Sequence, residues 1–205
     1  MNGSTDAVRS DFFVMEGPQM GVSAVFLDAG YLSKVVQNDH NHARVDIGKL
    51  SQEMAAPDSL LRAYYYNCLP YQSNPPTDEE RERYSNMHRF ITRLKYLPRF
   101  EVRLGRLALR GYDGRGTPIF VQKRVDCMVG VDMALLAGKR TITNVALFSG
   151  DSDLIPAVEA VKREGVLVTL WHGGAPESRP SRELYEICDE RRELTPDIVS
   201  RILLM

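Results

Sequence analysis

Three short apolar runs, rich in β-branched and aromatic residues, constrain the fold of this chain more than any other feature. They occupy residues 22–27 (VSAVFL), 145–148 (VALF) and 166–171 (VLVTLW). Runs of this length and composition are typical of strands that are buried on both faces of a sheet. Segments with helical periodicity alternate with them, which predicts βαβ units. We therefore expect an α/β fold, a three-layer sandwich with a mostly parallel central sheet.

The remaining segments fit the same architecture. Residues 60–66 indicate a further strand, and residues 78–97 repeat apolar side chains at helical spacing. Residues 100–109 alternate apolar side chains with arginines and, together with residues 119–121, predict a hairpin. Further helices are predicted over residues 125–136, 154–163, 181–188 and 196–204.

The length of 205 residues suits one α/β domain with a substantial core. We expect a flexible leader over residues 1–20 and the folded domain over residues 21–175. Residues 176–205 are predicted to form a helical extension that packs on this domain.

Composition restricts the classes of partner and the compartment. The formal net charge is -1, so any nucleic-acid binding must depend on a local basic patch. Three widely separated cysteines without a CxxC pair argue against a disulfide framework and a zinc site, and they fit a reducing compartment. No apolar run approaches the roughly 20 residues that span a membrane, and no signal peptide is evident. These features predict a cytoplasmic protein without a membrane partner.

Aspartates follow the predicted strands at the points where a parallel sheet presents its ligands. Asp28 ends the first strand, and Asp151 and Asp153 follow the strand of residues 145–148. Asp126 begins the helix that comes after Lys123 and Arg124. Open parallel sheets bind ligands beyond the carboxyl ends of their strands, so these acids are candidates for one site.

Carboxylates that converge on one rim repel one another unless a cation joins them. Hard oxygen ligands of this kind suit Mg²⁺ or Mn²⁺. A metal ion held in this way activates water and polarises a phosphate, which makes phosphodiester hydrolysis the natural reaction class.

Each acid also has a purely structural interpretation. An aspartate between a strand and a helix is a favoured N-cap, and any one of these residues could be only that. Asp132 lies six positions after Asp126, on a different face of the predicted helix. It could be solvated, or it could pair with Lys139 or Arg140.

Three segments occur in the order of a known family. They are residues 25–32 (VFLDAGYL), residues 123–126 (KRVD) with Asp132 beyond them, and residues 149–156 (SGDSDLIP). Together they resemble the NYN domain family, a LabA-like group within the PIN-like nuclease superfamily. The resemblance covers about residues 22–171, and the SGDSD block is its most specific part.

The resemblance implies a PIN-like fold and a ribonuclease that depends on Mg²⁺ or Mn²⁺. Motif matching assigns Asp132 as a further acid whose position matches the family less well. It also places Ser149 beside the metal ion, although the Ser149 hydroxyl could instead only stabilise the turn at the end of the strand. It assigns the catalytic, metal-binding positions to Asp28, Asp126, Asp151 and Asp153.

The resemblance and the basic residues together predict how RNA is bound. Family members often have Asn three residues after the first aspartate, whereas this chain has Tyr31, which could stack on a base. Tyr112 and Trp171 are further candidates for stacking on single-stranded bases. Basic side chains of the hairpin could hold phosphates, although a solvated strand face is the alternative. These are Arg103, Arg106, Arg110, Arg115, Lys123 and Arg124.

Three functions are compatible with these residues. The first is a metal-dependent ribonuclease, and the second is a non-catalytic regulator that binds RNA or protein, which Tyr31 favours. The third is a phosphatase or phospho-acceptor domain, which lacks support because Gly30 stands where a second aspartate is needed. We expect RNA as the partner, and the sequence leaves the formation of a homo-oligomer open.

Overall fold

A seven-stranded sheet organises the computed structural model, which describes residues 20–116 and 118–204. The strand order is β4-β3-β2-β1-β5-β6-β7, and every neighbouring pair is parallel except β3 and β4. The strands are β1 (Val22–Asp28), β2 (Ser59–Cys68), β3 (Phe100–Tyr112), β4 (Pro118–Lys123), β5 (Asn144–Phe148), β6 (Leu167–His172) and β7 (Glu190–Glu193).

Helices cover both faces of this sheet. Helices α1, α2, α3 and α7 pack on one face, and helices α4, α5 and α6 pack on the other. The predicted three-layer α/β sandwich is therefore confirmed, and it is consistent with a PIN-like fold. The helices are α1 (Ala29–Asp39), α2 (Ile47–Ala55), α3 (Asp78–Lys95), α4 (Val125–Gly138), α5 (Ile155–Arg163), α6 (Arg182–Ile187) and α7 (Pro196–Arg201).

Strand β1 shows why the sheet needs nearly continuous apolar runs. Val25 and Leu27 point into the core beneath α1 and α2, while Ala24 and Phe26 point into the core beneath α4 and α5. All four side chains are fully buried. A central parallel strand is covered on both faces, so it cannot alternate apolar with polar residues.

The strand order reverses at β1. The chain runs outward from β1 through β2 to β3 on one side and through β5 to β6 on the other. Connections therefore leave the carboxyl ends of β1 and β5 toward opposite faces, which opens a crevice between the two strands. This switch point is where the fold presents a ligand site.

Three elements were not predicted from the sequence, namely α1, α2 and β7. Helix α2 has the helical spacing of apolar residues but is only nine residues long. Strand β7 consists of the four charged residues ERRE and pairs with β6 at the sheet edge, where charged side chains reach solvent.

The helical extension predicted over residues 176–205 is thus corrected: it contains α6 and α7 but also contributes this strand. The leader predicted over residues 1–20 lies, apart from Met20, outside the described residues.

Within the described part of the chain, no helix has both the length and the apolar character that crossing a membrane requires.

The two-sided burial of β1 predicts a large loss of stability when a side chain is removed from it. Phe26 stacks on Tyr64 with ring centroids 5.2 Å apart. Because Phe26→Ala leaves a cavity in this packed layer, we expect the free energy of unfolding to fall by about 3–5 kcal/mol in urea titrations. Leu167→Ala, at an exposed position of β6, should change it by less than about 1 kcal/mol. Equal effects of the two variants would contradict the packing described for β1.

Candidate active site

Three carboxylates from two distant stretches of the chain converge at the switch point. Asp151 and Asp153 follow β5, and Asp126 lies in the first turn of α4. One oxygen atom of each carboxylate lies within 4.8 Å of an oxygen atom of both others. Asp151 and Asp153 are exposed, and Asp126 is half-buried. The sequence motifs therefore meet in space, as the family pattern implies.

The backbone between β4 and α4 brings Asp126 to this point. Arg124 adopts a left-handed conformation with φ of 76°, which turns the chain sharply so that α4 begins directly after the strand. Asp126 is the second residue of that helix and is not its N-cap. The capping role considered for Asp126 is therefore wrong.

The charges of this cluster have no salt-bridge partner among the described residues. Within residues 20–116 and 118–204, no lysine, arginine or histidine forms a salt bridge with any of the three carboxylates. Burial, and then repulsion from Asp151 and Asp153, raises the pKa of Asp126. Three oxygen donors with unbalanced negative charge fit a divalent cation such as Mg²⁺ or Mn²⁺.

Asp28 lies beside the cluster at the end of β1. Its Oδ1 accepts hydrogen bonds from the backbone N–H groups of Gly30, at 2.9 Å, and Tyr31, at 3.3 Å. The hydroxyl of Ser149 donates to Oδ2 at 3.4 Å. Burial raises the pKa of Asp28, the two backbone hydrogen bonds oppose this, and the charge of Asp126 raises it further. Asp28 is thus held in one orientation and interacts electrostatically with the cluster.

Ser149 links Asp28 to the loop that carries the other acids. It is fully buried, and its Oγ also accepts a hydrogen bond from the backbone N–H of Asp151 at 3.4 Å. Ser149 therefore contacts the carboxylate of Asp28, which the resemblance implies for a residue beside a metal ion. It also stabilises the turn after β5, which is the structural role considered for it.

Capping and site roles coexist in two of the aspartates. Asp28 is the N-cap of α1, and Asp151 caps the short 3₁₀ turn Ser152–Leu154 by accepting from the N–H of Asp153 at 3.0 Å. These backbone hydrogen bonds fix Oδ1 of each carboxylate, and Oδ2 of Asp28 accepts from Ser149. The structural interpretation of these acids therefore does not exclude the functional one.

Asp132 does not belong to the cluster. Its carboxylate accepts from Arg103 Nε at 3.2 Å, from Arg103 Nη2 at 3.3 Å and from the Tyr66 hydroxyl at 2.9 Å. Arg103 thus balances the charge of Asp132 on the face of β3 that packs against α4. Asp132 is therefore neither the further metal ligand that the resemblance implied nor the partner of Lys139 or Arg140. The same contacts occupy Arg103, which is therefore not free to hold an RNA phosphate.

Tyr31 and Trp171 are not stacking surfaces. Tyr31 is only 9% exposed, its hydroxyl donates to the Ser178 carbonyl at 2.6 Å, and its ring packs against Phe148. Trp171 is 1% exposed. Neither ring presents a face to a base, because both fill the core beneath the site. The contacts of Tyr31 are instead structural, and Gly150 lies directly against its ring.

The other predicted RNA-binding cations are accessible. Arg106 and Lys123 lie opposite each other in the β3–β4 pairing, and Arg124 follows Lys123. All three side chains are exposed. Lys123 and Arg124 precede Asp126 by three and two residues, and the contact of these cations with RNA stays a prediction.

One polar residue near the site was missed in the sequence. The Gln122 side-chain amide nitrogen lies 3.4 Å from the position that a Cβ would take on Gly30, close to Asp28. The only available signal was its place in β4, two residues before Arg124. That position does not distinguish a site residue from a solvated one without the tertiary contact.

Comparisons with known proteins give the family and the fold of this chain. The sequence model described as the NYN domain matches residues 23–194 of this chain. No curated protein sequence matches it significantly. A crystal structure of a protein of unknown function from Vibrio parahaemolyticus superposes with a TM-score of 0.54 at 20% identity, covering 93% of this chain and 100% of that one. At this identity the likeness shows a shared fold.

The contact between Gly150 and Tyr31 predicts that a methyl group added at Gly150 displaces the loop that carries Asp151. A Cβ at Gly150 would collide with the Tyr31 ring, which is fixed by the Ser178 carbonyl. We expect Gly150→Ala to lower the free energy of unfolding by about 1–3 kcal/mol and to displace Asp151, which should weaken Mn²⁺ binding in calorimetric titrations. Gly138→Ala meets no atom within 4 Å and should leave Mn²⁺ binding unchanged. Unaltered binding in Gly150→Ala would refute this support role.

The raised pKa of Asp126 predicts that its charge destabilises the metal-free protein. A carboxyl group with a higher pKa in the folded state disfavours folding once it is ionised. Asp126→Asn should therefore be more stable than the wild type at pH 7 in EDTA. This advantage should shrink as the pH falls and vanish well below about 3.9, where the carboxyl group is protonated in both states. Urea titrations over this range measure it, and a variant less stable than the wild type at pH 7 would contradict the repulsion.

Proposed function

The chain belongs to the NYN domain family, a group of PIN-like nucleases, and from this premise we propose that it hydrolyses RNA phosphodiester bonds with Mg²⁺ or Mn²⁺. The observation that supports the proposal most directly is the convergence of Asp126, Asp151 and Asp153 within 4.8 Å of one another. These acids come from separate motifs, and no described cation balances them. Repulsion within such a cluster lowers the stability of the folded protein unless a metal ion binds between the carboxylates.

The residues of the chain have distinct roles in this proposal. Asp126, Asp151 and Asp153 supply the oxygen ligands, and Asp28 supplies a further fixed negative charge at the end of β1. A divalent ion bound there lowers the pKa of a water molecule and stabilises negative charge on the phosphate. Ser149 positions Asp28 and the Asp151 backbone, so that the carboxylates from β1 and β5 keep their relative orientation.

The substrate is an RNA strand in this proposal because the cations beside the cluster are exposed and suited to phosphates. Arg106, Lys123 and Arg124 reach solvent at the end of the hairpin that leads to Asp126. Phosphate contacts of this kind position a strand without reading its sequence.

Free thiols at Cys68, Cys127 and Cys188 support a reducing, cytoplasmic setting.

The non-catalytic alternative loses the feature that favoured it. Tyr31 stands where family members often have asparagine, but its ring lies against Gly150 in the loop of Asp151, and its hydroxyl donates to the Ser178 carbonyl. The substitution is therefore compatible with an intact cluster of acids. Catalysis remains the function that the geometry supports best.

Removal of one ligand tests this function. Because outer-shell partners of metal ligands already contribute about 10- to 100-fold, we expect Asp151→Asn to lower the cleavage rate of labelled single-stranded RNA by at least about 100-fold in Mg²⁺ or Mn²⁺. Wild-type cleavage should stop in EDTA and return when Mn²⁺ is added in excess.

The control variant is Asp197→Asn, which changes an exposed aspartate that pairs with Arg201 on α7. It should cleave RNA at the wild-type rate. Equal rates for the wild type and Asp151→Asn, or cleavage that persists in EDTA, would show that the cluster is not the catalyst.

A further inference from the structure

A groove beside the aspartate cluster has no role in the hydrolytic step. It lies between the β3–β4 hairpin, the loop that follows β2 and the first turns of α3, and its volume is ≈ 370 Å³. We propose that this groove binds an unpaired base of the RNA strand that is cut at the cluster. The choice of RNA as the ligand rests on the proposed function, whereas the location rests on the contacts described below.

Aromatic side chains line the groove and are accessible from solvent. The rings of Tyr71 and Phe120 lie 4.9 Å apart at an angle of 37°. Tyr112 lines the groove as well and is 66% exposed. Single exposed apolar residues are common on protein surfaces, but here three aromatic rings share one concave site. Such rings are the surfaces on which bases of single strands stack.

The charges around these rings favour an anionic strand. Arg106, Arg110, Lys123 and Arg124 are exposed on the same hairpin, and none of them forms a salt bridge with a residue in the described ranges. This local excess of positive charge contrasts with the net charge of -1 for the whole chain. Arg83 lines the groove itself, whereas Arg106 and Lys123 alternate with Leu107 and Gln122 and so lie on the other face of the hairpin. Cations on the hairpin that carries Tyr112 and Phe120 match a ligand with both phosphates and bases.

The acidic residue of the groove is held by neighbouring donors. Glu80 lines the groove, but its Oε2 accepts hydrogen bonds from the Ser73 hydroxyl at 2.6 Å, the Ser73 N–H at 3.1 Å and the Thr77 N–H at 2.9 Å. These donors hold the carboxylate in the cap of α3. Arg83, one turn further along the helix, lines the same groove.

The hairpin links the groove to the surroundings of Asp28. Leu107 lines the groove, and its cross-strand partner in β4 is Gln122, whose amide lies beside Gly30 next to Asp28. Phe120 lies two residues before Gln122 on the same face of β4, which corresponds to about 7 Å along the strand. In this proposal, a strand with a phosphate at the cluster places a neighbouring base against these aromatic rings.

A base-stacking site selects unpaired RNA. In a duplex the faces of the bases are covered by their neighbours, so the rings of the groove cannot reach them. The hairpin cations contact phosphates of either form. The groove therefore accounts for a preference for single strands, which the cluster alone does not give.

Binding measured in EDTA tests the groove separately from cleavage. A fluorescent single-stranded RNA of about 12 nucleotides is titrated with the protein, and its anisotropy is recorded. We expect Tyr112→Ala to bind about 5- to 100-fold more weakly than the wild type, because loss of one stacking ring has an effect of this size. Tyr96→Ala removes another ring, 84% exposed at the end of α3, and should bind like the wild type.

Two further ligands identify the contact. An abasic strand of the same length and a matching RNA duplex keep the phosphates but offer no free base. Both should bind equally to the wild type and Tyr112→Ala. An equal loss of affinity for the abasic strand would show that Tyr112 contacts the backbone, which would overturn a base site.

The outcomes separate the two proposals. Wild-type affinity in Tyr112→Ala, or no RNA binding by the wild type, would overturn the groove proposal whatever the cleavage assay shows. Binding that depends on Tyr112 in a protein that does not cut RNA would support the groove and refute the nuclease activity. A thermal unfolding curve that matches the wild type shows that Tyr112→Ala remains folded.

Discussion

Electrostatic repulsion among carboxylates at the β1–β5 switch point is the constraint on which the site depends. Burial raises the pKa of Asp126 and Asp28; the charges of Asp151 and Asp153 raise that of Asp126 further, and the charge of Asp126 raises that of Asp28 further. A chain selected only for stability would not gather these groups without a counterion. The fold tolerates the repulsion because β1 and β5 are buried on both faces and fix the positions where the carboxylates emerge.

The supporting contacts explain why the acids keep their positions. Ser149 links Asp28 to the Asp151 loop, and Tyr31 packs beneath Gly150, where a larger residue does not fit. The hydroxyl of Tyr31 reaches the segment after β6, so three connections of the sheet meet under the site. Burial raises the pKa of Tyr31 to about 12, which keeps its hydroxyl a neutral donor. The replacement of a family asparagine by tyrosine is thus accommodated through packing.

The sequence predicted the parts of this structure that depend on local pattern. Buried strands need continuous apolar runs, so β1, β5 and β6 were recognisable, and the acids at their ends followed from the topology. Contacts between separate elements could not be predicted in the same way. The pairing of Asp132 with Arg103 depends on how α4 packs on β3, and the burial of Tyr31 depends on the chain after β6. Strand β7 was missed because an edge strand of charged residues carries no apolar signal.

The central claim is that Asp126, Asp151 and Asp153 share one divalent ion. Anomalous diffraction from crystals soaked in Mn²⁺ tests it most directly, because the signal locates the metal without reference to activity. The account predicts an anomalous peak at about 2.0–2.2 Å from an oxygen atom of each of the three carboxylates, as expected for a small divalent ion with oxygen ligands. A peak that contacts only one of them, or Mn²⁺ bound elsewhere with the cluster empty, would contradict it.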